Sequence, residues 1–288
     1  MRYGEPVTDV IRQRFSCRTY LDAPIAEETR QALMVSLEGA NSGPFGAPVR
    51  LELVAAGEED RSALRGLGTY GFIRGATGFI LGAVGPGRKN MEDFGYRMED
   101  AILYATALDL GTCWLGGTFR RSSFAERLVL GKDEIMPCVT AVGYISEQRS
   151  LVDRVIRRQA RGDRRYCWER LFFEGRFGQP LVPEEAGDYA GALEMVRLGP
   201  SASNKQPWRV VKDDGAWHFY LQRTPGYLQG AGSAFVEGDL QRVDLGIALC
   251  HFELTAREAG LAGAWTVDEP TIERPGELVE YTASWIEG

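Results

Sequence analysis

Arg14, Ser16 and Arg18 occupy alternate positions in the segment Arg14-Phe-Ser-Cys-Arg18. An extended backbone turns all three side chains to one side. Two guanidiniums flanking a hydroxyl suit a phosphate, because each guanidinium offers a planar fork of donors and each charge-assisted contact contributes about 1.5–3 kcal/mol. Alone, so short a segment also reads as an ordinary basic turn. A second polar concentration is Gly199-Pro-Ser-Ala-Ser-Asn-Lys-Gln-Pro-Trp208, dense in hydroxyls and amides. Such a loop can present backbone N–H groups, hydroxyls and side-chain amides to a flat polar heterocycle or a polyol chain. The third is Leu110-Gly-Thr-Cys-Trp-Leu-Gly-Gly-Thr118, which reads as the end of a long apolar helix followed by a turn. Its paired glycines carry no Cβ, so backbone N–H groups there can approach a ring closely.

Other chemistries lack their parts. There are two histidines, His218 in a strand-like run and His251 beside Cys250, too few for a metal cluster or for Ser-His-Asp or Cys-His catalysis. Gly66-Leu-Gly-Thr-Tyr-Gly71 has the G-x-G-x-x-G spacing, but it follows a polar, helix-like segment where a dinucleotide-binding turn needs a strand. Asp93-Phe-Gly95 imitates a kinase motif without an accompanying H-R-D segment. Acidic residues (40) outnumber basic ones (33), a balance that argues against a nucleic-acid surface. The local exception is an arginine-rich stretch from Arg149 to Arg170, read as a solvated helix and linker.

These segments need elements to hold them. Residues 24–38 read as a helix, Val49–Val54 and Gly78–Val84 as strands, Asp93–Leu110 as a largely buried helix and Val139–Tyr144 as a further strand. The order then repeats. A helix is expected near Glu184–Val196, a loop at Gly199–Pro207, strands at Trp208–Val211 and Trp217–Leu221, and a helix at Asp244–Ala259. Asp93-Phe-Gly95 matches Asp244-Leu-Gly246 at an offset of 151, and Trp114 matches Trp265 at the same offset. Ser42, Pro48 and Arg50 match Ser201, Pro207 and Arg209 at an offset of 159, the difference being absorbed by loops. Agreement in element order, helix length and loop type points to an internal duplication.

At 288 residues, 44% of them hydrophobic, the chain can bury the core of one two-part globule. Five cysteines, an odd number without a C-x-x-C pair, read as reduced thiols. The N-terminal residues lack the apolar core of a signal peptide, and no apolar run is long enough to span a membrane. A cytoplasmic location is the expectation.

Together the three segments resemble the nitroreductase family of FMN-dependent oxidoreductases, through R-x-S-x-R, P-S-x-x-N-x-Q-P-W and G-x-C-W-x-G-G patterns. Gly143-Tyr144 followed by Arg149-Ser-Leu151 looks like that family's closing strand and basic segment. The resemblance implies an α+β fold and a flavin site whose phosphate segment and P-S-x-x-N loop come from different subunits of a homodimer. Here they lie in different halves of one chain, so two nitroreductase-like halves, residues 1–160 and 161–288, would form a single-chain pseudo-dimer. Carried over, Arg14, Ser16 and Arg18 would hold the FMN phosphate and ribityl end, with Arg149 as a further phosphate partner. Pro200, Ser201, Ala202, Asn204 and Gln206 would line the ring and ribityl chain, and Leu115, Gly116 and Gly117 would meet the flavin through backbone groups. No catalytic side chain and no metal are implied. The implied activity is hydride transfer from NAD(P)H through FMN to a nitroaromatic, quinone or similar acceptor; the other reading is a flavin-binding protein of the same fold without turnover. One FMN per chain is expected. In the second half Leu171–Phe177 stands where Arg14–Arg18 would be needed, and Phe45 and Gly46 stand where the other half has Asn204 and Lys205.

Overall fold

The computed structural model describes residues 2–39, 42–57, 62–146, 164–227 and 237–288. In the first half, helices α1 (Val7–Gln13) and α2 (Glu27–Glu38) precede strands β1 (Val49–Ala55) and β2 (Gly78–Val84), the long helix α3 (Asn90–Ala107), strand β3 (Leu110–Leu115), helix α4 (Arg121–Leu128) and strand β4 (Val139–Tyr144). The second half contains β5 (Phe172–Glu174), α5 (Ala190–Leu198), β6 (Trp208–Asp213), β7 (Ala216–Gln222), α6 (Leu240–Glu258), β8 (Gly263–Thr266) and β9 (Val279–Glu287). The strands form two sheets, in the orders β1-β2-β4-β3 and β5-β6-β7-β9-β8. Matching them puts β1 with β6, β2 with β7, β4 with β9 and β3 with β8, so the fold is α+β with two pseudo-symmetric halves.

The long central helices α3 and α6 pack side by side between the two sheets. They are closest at Gly95 and Gly246, the pair that the 151-residue offset had matched. A Cβ on Gly95 would stand 2.1 Å from the Val243 carbonyl oxygen, and one on Gly246 would stand 2.1 Å from that of Glu92. Only glycine permits this approach. A bidentate ion pair from Arg242 on α6 to Glu92 on α3 (3.0 and 2.6 Å) ties the same turns together. α1 lies against α3, α5 and α6, and its first backbone N–H donates to the Glu258 carboxylate at the far end of α6 (2.9 Å).

Alternation along the strands assigns their faces. Val49, Leu51, Ile80 and Val142 face α2 and α3, while Phe79, Leu81, Cys113 and Leu115 form a second cluster under α4. In the other half Trp208, Val210, Trp217, Phe219 and Trp285 pack against α5 and α6. β2 is buried along its whole length, as expected of a strand covered on both faces.

Three sequence expectations change. Leu110–Leu115 is a strand antiparallel to β4, because Asp109 takes a left-handed conformation (φ 58°) and the helix ends at Ala107, three residues earlier than expected. The helix expected from Glu184 is a short 3₁₀ turn at Gly187–Tyr189 leading into α5. Leu171–Phe177 is not the counterpart of Arg14–Arg18. It contains β5, which pairs in parallel with β6, whereas Ser16 bridges Thr112 on β3, at the opposite edge of the equivalent sheet. The expected junction between the halves, at residues 160 and 161, lies outside the described residues.

Candidate functional site

The segment Arg14–Arg18 leaves the C-terminus of α1 and runs extended along β3. Ser16 forms a parallel bridge with Thr112, and the Cys17 N–H donates to the Thr112 carbonyl (2.8 Å). Gly111 makes that approach possible, since a Cβ there would meet the Cys17 side chain at 2.9 Å. Ser16 and Arg18 are half-buried, and Arg18 also bonds the Ser16 carbonyl (3.4 Å). Three residues beyond Thr112 the strand delivers Leu115, Gly116 and Gly117; Leu115 is buried and Gly117 is exposed. Gly116 abuts Leu240, the first residue of α6, and its carbonyl accepts from Arg121 (3.4 Å). Arg149 lies outside the described residues.

The second-half loop reaches the same end of α6. The Ala202 N–H donates to Asp244 Oδ1 (2.9 Å), and Ala202 packs against the core cluster of the first half. Ser203, Asn204 and Gln206 all hold positive φ (52°, 53° and 49°), a strained run of non-glycine residues of the sort that collects at functional sites. Pro200, Ser201 and Ala202 are partly exposed. The two amide side chains are engaged within the protein. Asn204 Nδ2 donates to the Arg164 carbonyl (2.9 Å) and its Oδ1 accepts from Arg165 (3.3 Å). Gln206 Oε1 accepts the Tyr166 N–H (2.7 Å), so both amides clamp the segment entering the second half.

The pseudo-symmetric aspartates show how the halves have diverged. Asp93 accepts the Phe45 and Ala47 N–H groups, one on each oxygen (both 2.8 Å). In the second half the equivalent of the second donor, the Gln206 N–H, turns to Ser201 Oγ (2.8 Å). Among the described residues Asp244 Oδ2 therefore has no hydrogen-bond partner, although it is buried. Burial pushes the Asp244 carboxyl well above the usual range, against the pull of the Ala202 N–H. Asp93, with two donors, is raised by burial to about 6.

Behind the Arg14 segment lies a buried charge network that composition and spacing did not reveal. Arg14 Nε stands 3.7 Å from Glu99 Oε1 on α3, and His251 Nε2 on α6 stands 2.9 Å from the same oxygen. The Trp114 indole on β3 donates to Glu99 Oε2 (2.8 Å). His251 Nδ1 faces the Met195 carbonyl (2.8 Å), which can only accept, so Nδ1 is the donor in that contact. Burial alone would raise the Glu99 pKa; His251, Arg14 and Trp114 outweigh it and hold the carboxyl below its usual value. The signal in the sequence was the run Arg97, Glu99 and Asp100 in the middle of a helix that also holds Met98, Ala101, Ile102 and Leu103. All three are buried.

Among the described residues there is no cluster of three metal-ligating side chains, no disulfide, and no helix long and apolar enough to cross a membrane.

A protein-family profile described as "Putative TM nitroreductase" matches residues 6–256. A solved structure described as a "putative nitroreductase" from Thermotoga maritima is 19% identical, with a TM-score of 0.60, over 98% of this chain and 94% of that one. Another, from Desulfovibrio desulfuricans in complex with FMN, is 25% identical with a TM-score of 0.39, over 52% of this chain and 94% of its own. A "putative NADH oxidase" from Clostridium acetobutylicum is 24% identical with a TM-score of 0.39, over 49% of this chain and 90% of its own. Among curated proteins none matches.

Proposed function

The chain belongs to the nitroreductase family, and from that membership we propose that it is an FMN-dependent oxidoreductase whose one flavin site is completed within a single chain. The observation that carries the reading is convergence. The Arg14–Arg18 segment and the end of β3 come from one half, the Pro200–Gln206 loop comes from the other, and the β3 end and the loop both abut the N-terminal turns of α6. In this reading residues 1–160 and 161–288 are the two halves of a pseudo-dimer, and no second chain is needed to build the site.

At the phosphate end the proposed donors are the Arg14 and Arg18 guanidiniums and the Ser16 hydroxyl on one extended segment, of which the Arg14 side chain is buried against Glu99. Arg149 joins them in this proposal. Leu115, Gly116 and Gly117 offer backbone groups without side-chain bulk at the two glycines. Pro200, Ser201 and Ala202 would line the ring and ribityl chain, with the strained Ser203–Asn204 turn holding them in place. Asn204 and Gln206 serve the site by clamping residues 164–166, and direct contact with flavin would require them to release that segment. Bound flavin supplies the hydride chemistry, and the protein positions it and leaves a face open for substrates. NAD(P)H and a small quinone or nitroaromatic acceptor are the proposed substrates, and the cytoplasm is the proposed compartment.

The test is oxidation of NADH or NADPH by flavin-loaded protein, followed at the nicotinamide absorbance with a quinone or nitroaromatic acceptor. Acceptor-dependent oxidation supports the reading. Tightly bound FMN with no oxidation by either nucleotide would instead mark a flavin-binding protein without turnover.

A further inference from the structure

Arg50 and Arg209 occupy the same place in the duplicated fold, the second residue of β1 and of β6. In the first half the charge is matched. Arg50 pairs with Glu134 (2.7 Å) and with Glu52 two residues along the strand. In the second half the residue two along is Val211, and no acidic side chain among the described residues pairs with Arg209. Arg209 is nonetheless almost wholly buried (8% exposed) and its Nη1 donates to the carbonyls of Gln206 (3.1 Å) and Trp208 (2.6 Å). Another cation, Arg170, acts on it: the Arg170 guanidinium stacks on the Tyr166 ring (3.7 Å to the centroid) while that of Arg209 lies 6.0 Å from the same centroid. Burial and the repulsion of Arg170 together push the Arg209 pKa down to about 10.

A buried, unmatched charge is costly, and two guanidiniums gathered at one aromatic ring raise that cost. An anion between them would relieve both terms at once. We propose that Arg209 and Arg170, beside Tyr166, form an anion site for a phosphate group, either free phosphate or a phosphomonoester. The paired guanidinium forks favour phosphate over a carboxylate, because they can meet several oxygens of one tetrahedral group. Arg170 is exposed, so the site opens to solvent on its side. It shares no side chain with the proposed flavin site and stands or falls independently of it.

The experiment is thermal unfolding of the purified protein in sodium phosphate against sodium chloride at matched ionic strength and pH, with Arg170→Ala, Arg209→Met and Arg18→Ala variants alongside. Saturating phosphate should raise Tm by about 2–4 °C over chloride. That increment should vanish in Arg170→Ala and Arg209→Met and persist in Arg18→Ala, which separates this site from the flavin phosphate site. Arg170→Ala removes an exposed side chain, so it decides the matter even if Arg209→Met folds poorly. Adenosine monophosphate against adenosine distinguishes the sources: saturation by the monophosphate well below the concentration needed for inorganic phosphate assigns a monoester, and equal requirement assigns the free anion. An increment that survives in both Arg170→Ala and Arg209→Met, or no increment in the wild type, overturns the proposal.

Discussion

Substitution of Gly246 by alanine should force the two central helices apart. The new Cβ would lie 2.1 Å from the Glu92 carbonyl oxygen and 2.8 Å from the Tyr96 nitrogen, both backbone atoms of α3 that cannot swing aside. Restoring even a tight 3.0 Å contact requires a movement of about 0.9 Å. A gap of 0.5–1 Å forfeits roughly a quarter to a half of each dispersion contact across an interface. Overpacking of this kind costs about 1–3 kcal/mol, and sometimes more. Alanine returns about 0.8–1 kcal/mol through helix propensity. Because the clash is against backbone, the cost should sit at or beyond the upper end, leaving a net loss of about 2 kcal/mol and a Tm lower by about 4–8 °C. Gly191 supplies the control. It lies inside α5 with nothing within 4 Å of its would-be Cβ, so Gly191→Ala should stabilise by about 0.5–1 kcal/mol. Gly95→Ala combined with Gly246→Ala should cost less than the two single changes together, since one separation accommodates both methyls. Urea denaturation of the four variants decides. If Gly246→Ala matches Gly191→Ala, the close approach of α3 and α6 is not what holds the halves together.

The remaining predictions concern the charges around the site. Arg18→Ala should weaken FMN binding about ten- to a hundred-fold, read by flavin fluorescence, with little change in stability, whereas Arg14→Ala should lower both because it also strips Glu99 of a cation. Glu99→Gln should cost about 3–5 kcal/mol at neutral pH by leaving the buried Arg14 guanidinium unmatched. The wild-type carboxyl is depressed on folding, so its contribution is complete above the unfolded pKa of about 4.3 and declines as pH falls through the folded value; denaturant midpoints of the Gln variant should lack that acid-side slope. Asp244 is raised on folding, so the opposite holds: its contribution is complete below about 3.9 and is lost as pH rises. Asp244→Asn keeps an acceptor for the Ala202 N–H and should therefore melt higher than wild type at pH 8 and close to it at pH 4. A lower midpoint for Asp244→Asn at pH 8 would contradict the buried, unpartnered carboxyl.

The duplication could be read from the sequence because its markers are backbone requirements. Gly95 and Gly246 cannot be replaced at the crossing, and Asp93 and Asp244 both hold a loop to a central helix. The three site segments were legible because their residue types are unusual for plain turns. β3 was not, since paired glycines beside an apolar run look like a helix ending until Asp109 is seen in its left-handed conformation. The misplacement of Leu171–Phe177 has a topological cause: a fixed offset aligns residues along the chain but cannot show that β5 joins the far edge of the second sheet. The pairing of Glu99 with His251 was not legible because a helix buried on all sides has no polar face against which a charged residue stands out.

With Leu171–Phe177 reassigned, the two halves differ at the outer edges of their sheets and in their loops. Ser16 and its flanking arginines run beside β3, and among the described residues no segment pairs with the outer edge of β8, the equivalent strand. The loop of the first half also sits too close to its helix: a Cβ at Gly43 would lie 2.6 Å from the Asp93 Cα, where the second half accommodates Ala202. The direct test is to reconstitute the protein with excess FMN, remove the unbound flavin, establish that the sample is monomeric by sedimentation, and quantify chain and released flavin together. One FMN per monomeric chain is the predicted result; a ratio near two, or flavin retained only by an oligomer, would contradict a single site built between unlike halves.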